Sequence, residues 1–160
     1  MTGSPLTEAE LGPEAHRRLG SALFNYAWTL LETEERRPEQ DDDMVHAAHA
    51  SRWHWSRSEV ADLPQRLAVG EWQCSRAYAV LGRGEPALHH ARRCLDLAEA
   101  GGMEDWVLAS AYEAMARASR VAGDRAGFDE WRARAGAAAD AIAEAEDRQV
   151  IERDLASLGG

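Results

Sequence analysis

The feature that most restricts this chain is an internal repeat. Gly82 and Gly123 stand 41 residues apart, each between two stretches with apolar residues at helical spacing. Shifting the sequence by that amount brings Leu67 onto Leu108, Cys74 onto Met115 and Leu81 onto Ala122 ahead of the turn. After the turn, Ala87 falls on Phe128, Cys94 on Ala135 and Leu97 on Ala138, and Arg76 falls on Arg117. Small or apolar residues therefore recur where two antiparallel helices must approach closely. The pattern predicts two copies of one helix-turn-helix unit over residues 62–140. Such a unit cannot bury its apolar face alone, so copies stack into an array.

The rest of the chain agrees with an all-α class, since no segment alternates with period two over a useful length. A first helix is expected from Gly12-Pro13, with Leu19, Leu23, Tyr26 and Leu30 as its apolar stripe, and Pro38 stops it by Arg37. Asp41, Asp42 and Asp43 set negative charge at the start of helix two, which carries Met44, Ala48 and Trp55 on one side. Asp62 is the expected cap of helix three, whose stripe is Leu67, Cys74, Tyr78 and Leu81. Ala87, Ala91, Cys94 and Ala98 form the core side of helix four. Leu108, Tyr112, Met115, Ser119 and Ala122 form that of helix five, and Phe128, Trp131, Ala135, Ala138 and Ile142 that of helix six. The pattern leaves open whether helix six runs through Gly136. Residues 1–160 thus read as one domain: a flexible lead at 1–12, a divergent helix pair at 13–58, two regular pairs at 62–140 and a capping helix at 141–158.

The run from Tyr78 to Ala87, continuing to Cys94-Leu-Asp-Leu97, resembles the turn and second helix of a tetratricopeptide repeat (TPR), and Val121 to Asp124 with Phe128 and Ala135 is similar. The period of that family is about 34 residues, so 41 implies longer helices or turns. The resemblance implies a short right-handed stack of six to seven helices that holds a protein or peptide in a concave groove lined by the first helix of each pair. Separately, the run His46 to Trp55 is similar to segments of uncharacterised bacterial helical proteins, which implies no activity.

Composition narrows the function classes. A formal net charge of −10 argues against nucleic acid or an anionic membrane as partner. All 18 basic residues are arginine, which removes Schiff-base chemistry and a phosphate-loop lysine. The opening residues have no basic region followed by an apolar run, and no apolar stretch is long enough to span a bilayer, so a cytoplasmic protein is the expectation. No nucleophile–base set or cofactor fingerprint appears, and an enzyme is not the favoured reading. A homo-oligomer is compatible with the pattern.

Two groups of residues carry the functional expectations. Asp42, His46 and His49 share a helix face and are the candidate ligands for zinc or iron, with Glu32 and Glu35 as neighbours, in an alternative reading as a metal- or small-molecule-binding protein. His89 and His90 are expected in a different layer. The favoured site is the face opposite the core stripes of helices three and five. It holds Val69, Trp72 and Arg76, then Ser110, Glu113, Arg117 and Arg120, joined by Trp28 from helix one. Paired arginines there would form a positive patch for an acidic or carboxylate-bearing segment; the rival is that they pair with Glu71 and Glu113 along their own helices. Cys74 and Cys94 are expected to face each other as small core residues.

Overall fold

The computed structural model describes residues 11–159, so most of the 1–12 lead lies outside the described residues. The described chain is all-helical: α1 (Pro13–Leu31), α2 (Pro38–Trp55), α3 (Leu63–Val80), α4 (Gly84–Ala100), α5 (Asp105–Val121), α6 (Arg125–Asp140) and α7 (Ala145–Ala156). There is no strand among the described residues. Helices pack in consecutive pairs, α1 on α2, α3 on α4 and α5 on α6, with α7 against α5 and α6.

The repeat has a backbone counterpart. Gly82 and Gly123 adopt φ of 71° and 77°, the left-handed region that glycine enters without a Cβ clash. Each is followed by the same closing bond: the Arg83 amide donates to the Tyr78 carbonyl at 3.0 Å, and the Asp124 amide to the Ser119 carbonyl at 2.9 Å. These are helix ends of the Schellman type, which satisfy carbonyls that would otherwise be orphaned. Inside the first regular pair, the Ser75 hydroxyl donates to the Ala87 carbonyl at 2.9 Å, so α3 and α4 touch almost backbone to backbone there. Asp124 caps α6 by accepting from the Gly127 amide. Asp62 behaves otherwise than expected: its carboxylate pairs with Arg66 and makes no cap bond.

α1 corrects the sequence reading most. Leu19 and Tyr26 are exposed, and the buried residues are His16, Gly20, Ala27 and Leu30. The reason is close packing against α2. The Trp55 indole lies over Gly20, where an added Cβ would sit 3.1 Å from the ring, and the Ser51 hydroxyl donates to the Gly20 carbonyl at 2.7 Å. Between the two helices Arg36 donates to the Leu30 and Thr33 carbonyls and to Asp41, tying the end of α1 to the start of α2. Ala122 is exposed although it was expected to face inward. Helix α6 runs through Gly136 and stops at Asp140.

The core divides among the pairs. Cys74 belongs to the cluster built by Met44, Ala48 and Ala27, whereas Cys94 belongs to that of Ala87, Ala91 and Met115. The two thiols therefore do not face each other; each is free and buried, and burial pushes both up to about 12.

Candidate functional site

The first helices of the pairs, α1, α3 and α5, line a concave groove of about 650 Å³, and α7 forms its remaining wall. Phe24, Asn25, Trp28 and Glu32 come from α1, Val69, Trp72 and Arg76 from α3, and Trp106, Val107 and Ser110 from α5. Opposite α1 stand Asp147, Val150, Ile151, Arg153 and Asp154 of α7. A volume of this size falls in the range of formed ligand sites, roughly 300–1,000 Å³. Val150 is 46% exposed within it, an apolar side chain with little to cover it.

The aromatic wall is ordered by its own contacts. Trp28 and Trp72 stack with centroids 5.7 Å apart, and the Trp28 Nε1–H donates to Glu32 Oε1 at 2.9 Å. The Arg76 guanidinium lies 5.5 Å from the Trp72 ring centroid, a cation–π contact.

The expected residues divide at this point. Trp28, Trp72 and Arg76 line the groove, Glu113 and Arg117 do not, and Arg117 and the exposed Arg120 border a small hollow by Val80 and Leu158. The positive patch does not form. Glu113 is 1% exposed, and its Oε1 takes Arg76 at 3.2 Å and Arg117 at 2.6 Å. Arg76 also bridges to Asp154 at 2.7 Å, and Arg117 donates to the Asp154 carbonyl and to Ser157. Burial holds the Arg117 guanidinium below the usual arginine range, although the Glu113 carboxylate acts the other way. Both cations are thus neutralised by the chain itself. The sequence could not show the Asp154 contact, since α7 reaches α3 across 78 residues of chain.

Glu71 does not pair with Arg76. It is 2% exposed and joins three helices: Arg52 of α2 at 3.0 Å, and His90 at 2.7 Å and Arg93 at 3.0 Å from α4. Burial alone would push its carboxyl up, but hydrogen bonds from His90 and Arg93 and the charges of Arg52 and Arg93 outweigh this and hold it at about 2.

The candidate metal ligands are not brought together. Asp42 and His46 are exposed, whereas His49 turns into the helix interface, where its Nε2 meets the Tyr78 hydroxyl at 2.9 Å. His90, expected in another layer, lies beside His49 with ring centroids 4.9 Å apart. Glu32 is engaged by Trp28 and Glu35 is exposed. Among the described residues, no three His, Cys, Asp or Glu side chains are placed to hold an ion. No described helix is long and apolar enough to cross a membrane. No protein-family model, curated protein or solved structure matches the chain.

Proposed function

We propose that this is a TPR-like binding module whose concave groove holds a segment of a partner protein through apolar or aromatic anchor residues flanked by basic ones. The observation that carries the reading is the groove itself, walled by α1, α3, α5 and α7 and lined by Trp28, Trp72 and Trp106. Indole surfaces supply large contact areas at little entropic cost, which is why tryptophan dominates binding energy at interfaces. Consecutive helix pairs with matching glycine turns support the repeat reading.

Charge decides the partner's chemistry. With Arg76 and Arg117 neutralised, the groove retains Glu32 and Asp147 on opposite walls and Arg153 on the rim without an ion pair among the described residues. The whole chain carries −10, a field that slows acidic partners and steers basic ones. An acidic segment, the expectation drawn from the arginines, is therefore not the occupant proposed.

Panning a random peptide library against the immobilised protein tests this. Enriched peptides should combine aromatic or aliphatic residues with arginine or lysine. Val150→Arg adds a like charge at the exposed groove wall without touching the core. It should weaken such peptides at least about tenfold, ~1.4 kcal/mol, with the melting temperature unchanged. Enrichment of acidic peptides, or full binding by Val150→Arg, would overturn the proposal.

A further inference from the structure

The two ends of the stack are finished differently. At one end α7 lies against α5 and α6, the cap that a repeat array needs. At the other, α1 packs only on α2 and α3, and α2 only on α1 and α3, so the outer side of the first pair has no cover among the described residues. Leu19 and Tyr26 stand on that side, 37% and 45% exposed, with the exposed Ala22 between them at helical spacing. The Tyr26 hydroxyl donates to Asp43 at 3.3 Å, which sets the α2 ridge of Glu39, Asp43, His46, Ala50 and Arg57 beside the α1 ridge. The α2 ridge is acidic at its start and basic at its end. Glu39, Asp43 and Arg57 form no ion pair among the described residues, and the Arg57 guanidinium lies instead over the Trp53 ring. Three contacts fix the register of the two helices: His16 with His54, Gly20 with Ser51 and Tyr26 with Asp43. That register puts Ala22 level with the stretch between His46 and Ala50, so both ridges have their middle at the same height.

We infer that this face takes a second copy of the same chain, about a two-fold axis that crosses both helices at the height of Ala22. Turning the face about that axis lays α1 antiparallel on α1 and α2 antiparallel on α2. Leu19 of one copy then meets Tyr26 of the other, and Ala22 meets Ala22, where the backbones come closest. Glu39 and Asp43 of one copy come opposite Arg57 of the other. A two-fold axis along the helices would instead set acidic end on acidic end, so the charges choose the crossing axis. Each chain carries −10, and association against that general repulsion needs a local match of this kind. Helices of 19 and 18 residues present a strip about 27 Å long and roughly 18 Å wide. About 500 Å² per copy lies at the lower edge of specific interfaces, so the dimer is a weak one. It leaves free the other face of α1, which carries Phe24 and Trp28 into the groove.

Sedimentation velocity of the intact protein at pH 7, from about 5 μM to about 500 μM, tests this. A concentration-dependent passage from monomer to dimer is expected, with no larger species, because a two-fold face is used up in one pairing. Ala22→Arg sets two arginines against each other at the axis. It should abolish the dimer and leave the thermal melt as in wild type, since Ala22 is exposed. Arg57→Glu and Glu39→Arg each act twice across the axis, and each alone should weaken the dimer about three- to tenfold. The two together should restore it, a rescue that no change in folding would produce. A monomer at every concentration would overturn the inference, and is the result if residues 1–10 or a different protein take the face. A dimer that survives Ala22→Arg, or a charge exchange that fails to rescue, would overturn it as well.

Discussion

Replacing Glu71 by glutamine keeps the shape of the side chain and removes its charge at a point where α2, α3 and α4 are joined. Breaking a buried ion pair by removing one partner costs about 3–5 kcal/mol when the remaining charge is fully buried. Here the stranded cations are only partly so: Arg52 has 18% of its side chain exposed, while Arg93 has 49% and can turn to water. The amide also still accepts one hydrogen bond. These two facts reduce the expected cost to about 2–3 kcal/mol. At about 2–4 °C per kcal/mol for a chain of this size, Glu71→Gln should melt roughly 4–12 °C below wild type at pH 7. The pH dependence is the sharper signature. The folded carboxyl sits at about 2, below its unfolded value near 4.5, so its contribution is fully present above about pH 4.5 and is lost as pH falls toward 2. Urea unfolding followed by circular dichroism from pH 7 down to pH 2.5 measures both effects. The difference between wild type and Glu71→Gln should shrink steadily over the acid range. A difference under ~0.5 kcal/mol at pH 7, within the range of ordinary surface substitutions, or one that does not change with pH, would refute the reasoning.

Ala87→Leu should overpack the contact where Ser75 bonds the Ala87 carbonyl, costing about 1–3 kcal/mol in denaturant unfolding. Arg76→Ala with Arg117→Ala should lower the melting temperature markedly, because Glu113 is left buried with no cation and its Oε2 already lacks a partner. His49 and His54 are both held below the usual histidine range by burial, with a neighbouring histidine adding to it. Their neutral forms favour the fold, so stability should fall as pH drops through about 6.5 and below, and His54→Asn should blunt that fall. Cys74 and Cys94 should resist a thiol-specific dye at pH 8 until the protein is unfolded, as expected of buried thiols pushed up to about 12.

What the sequence revealed and what it hid follow one physical division. Helix pairing was legible because the signals are local: Pro13, Pro38 and Pro64 near helix starts, and glycines at 82, 102 and 123 that take left-handed turns. Trp28 and Trp72 were legible as a second face because neither fits its helix's core stripe. The α1 interface was misread because counting large apolar residues favours Leu19 and Tyr26. Two helices in close contact instead select Gly20, Ala27 and Ser51. The arginines were misjudged for a different reason. Arg117 and Glu113 are four apart on one helix, but Arg76 meets Glu113 from α3 and Asp154 from α7, pairings set by the stacking of the array. Val150 entered the groove in the same way, through the position of α7, and Trp106 lines it from α5.

The groove can be tested directly through its own tryptophans. Six indole N–H signals are expected in a nitrogen-15 correlation spectrum, and each can be assigned by single Trp→Phe substitution. Titration with a peptide selected from the random library should move the signals of Trp28, Trp72 and Trp106, which line the groove, and leave those of Trp53, Trp55 and Trp131 in place. Shifts confined to Trp53, Trp55 and Trp131, or no shift with any selected peptide, would contradict the account.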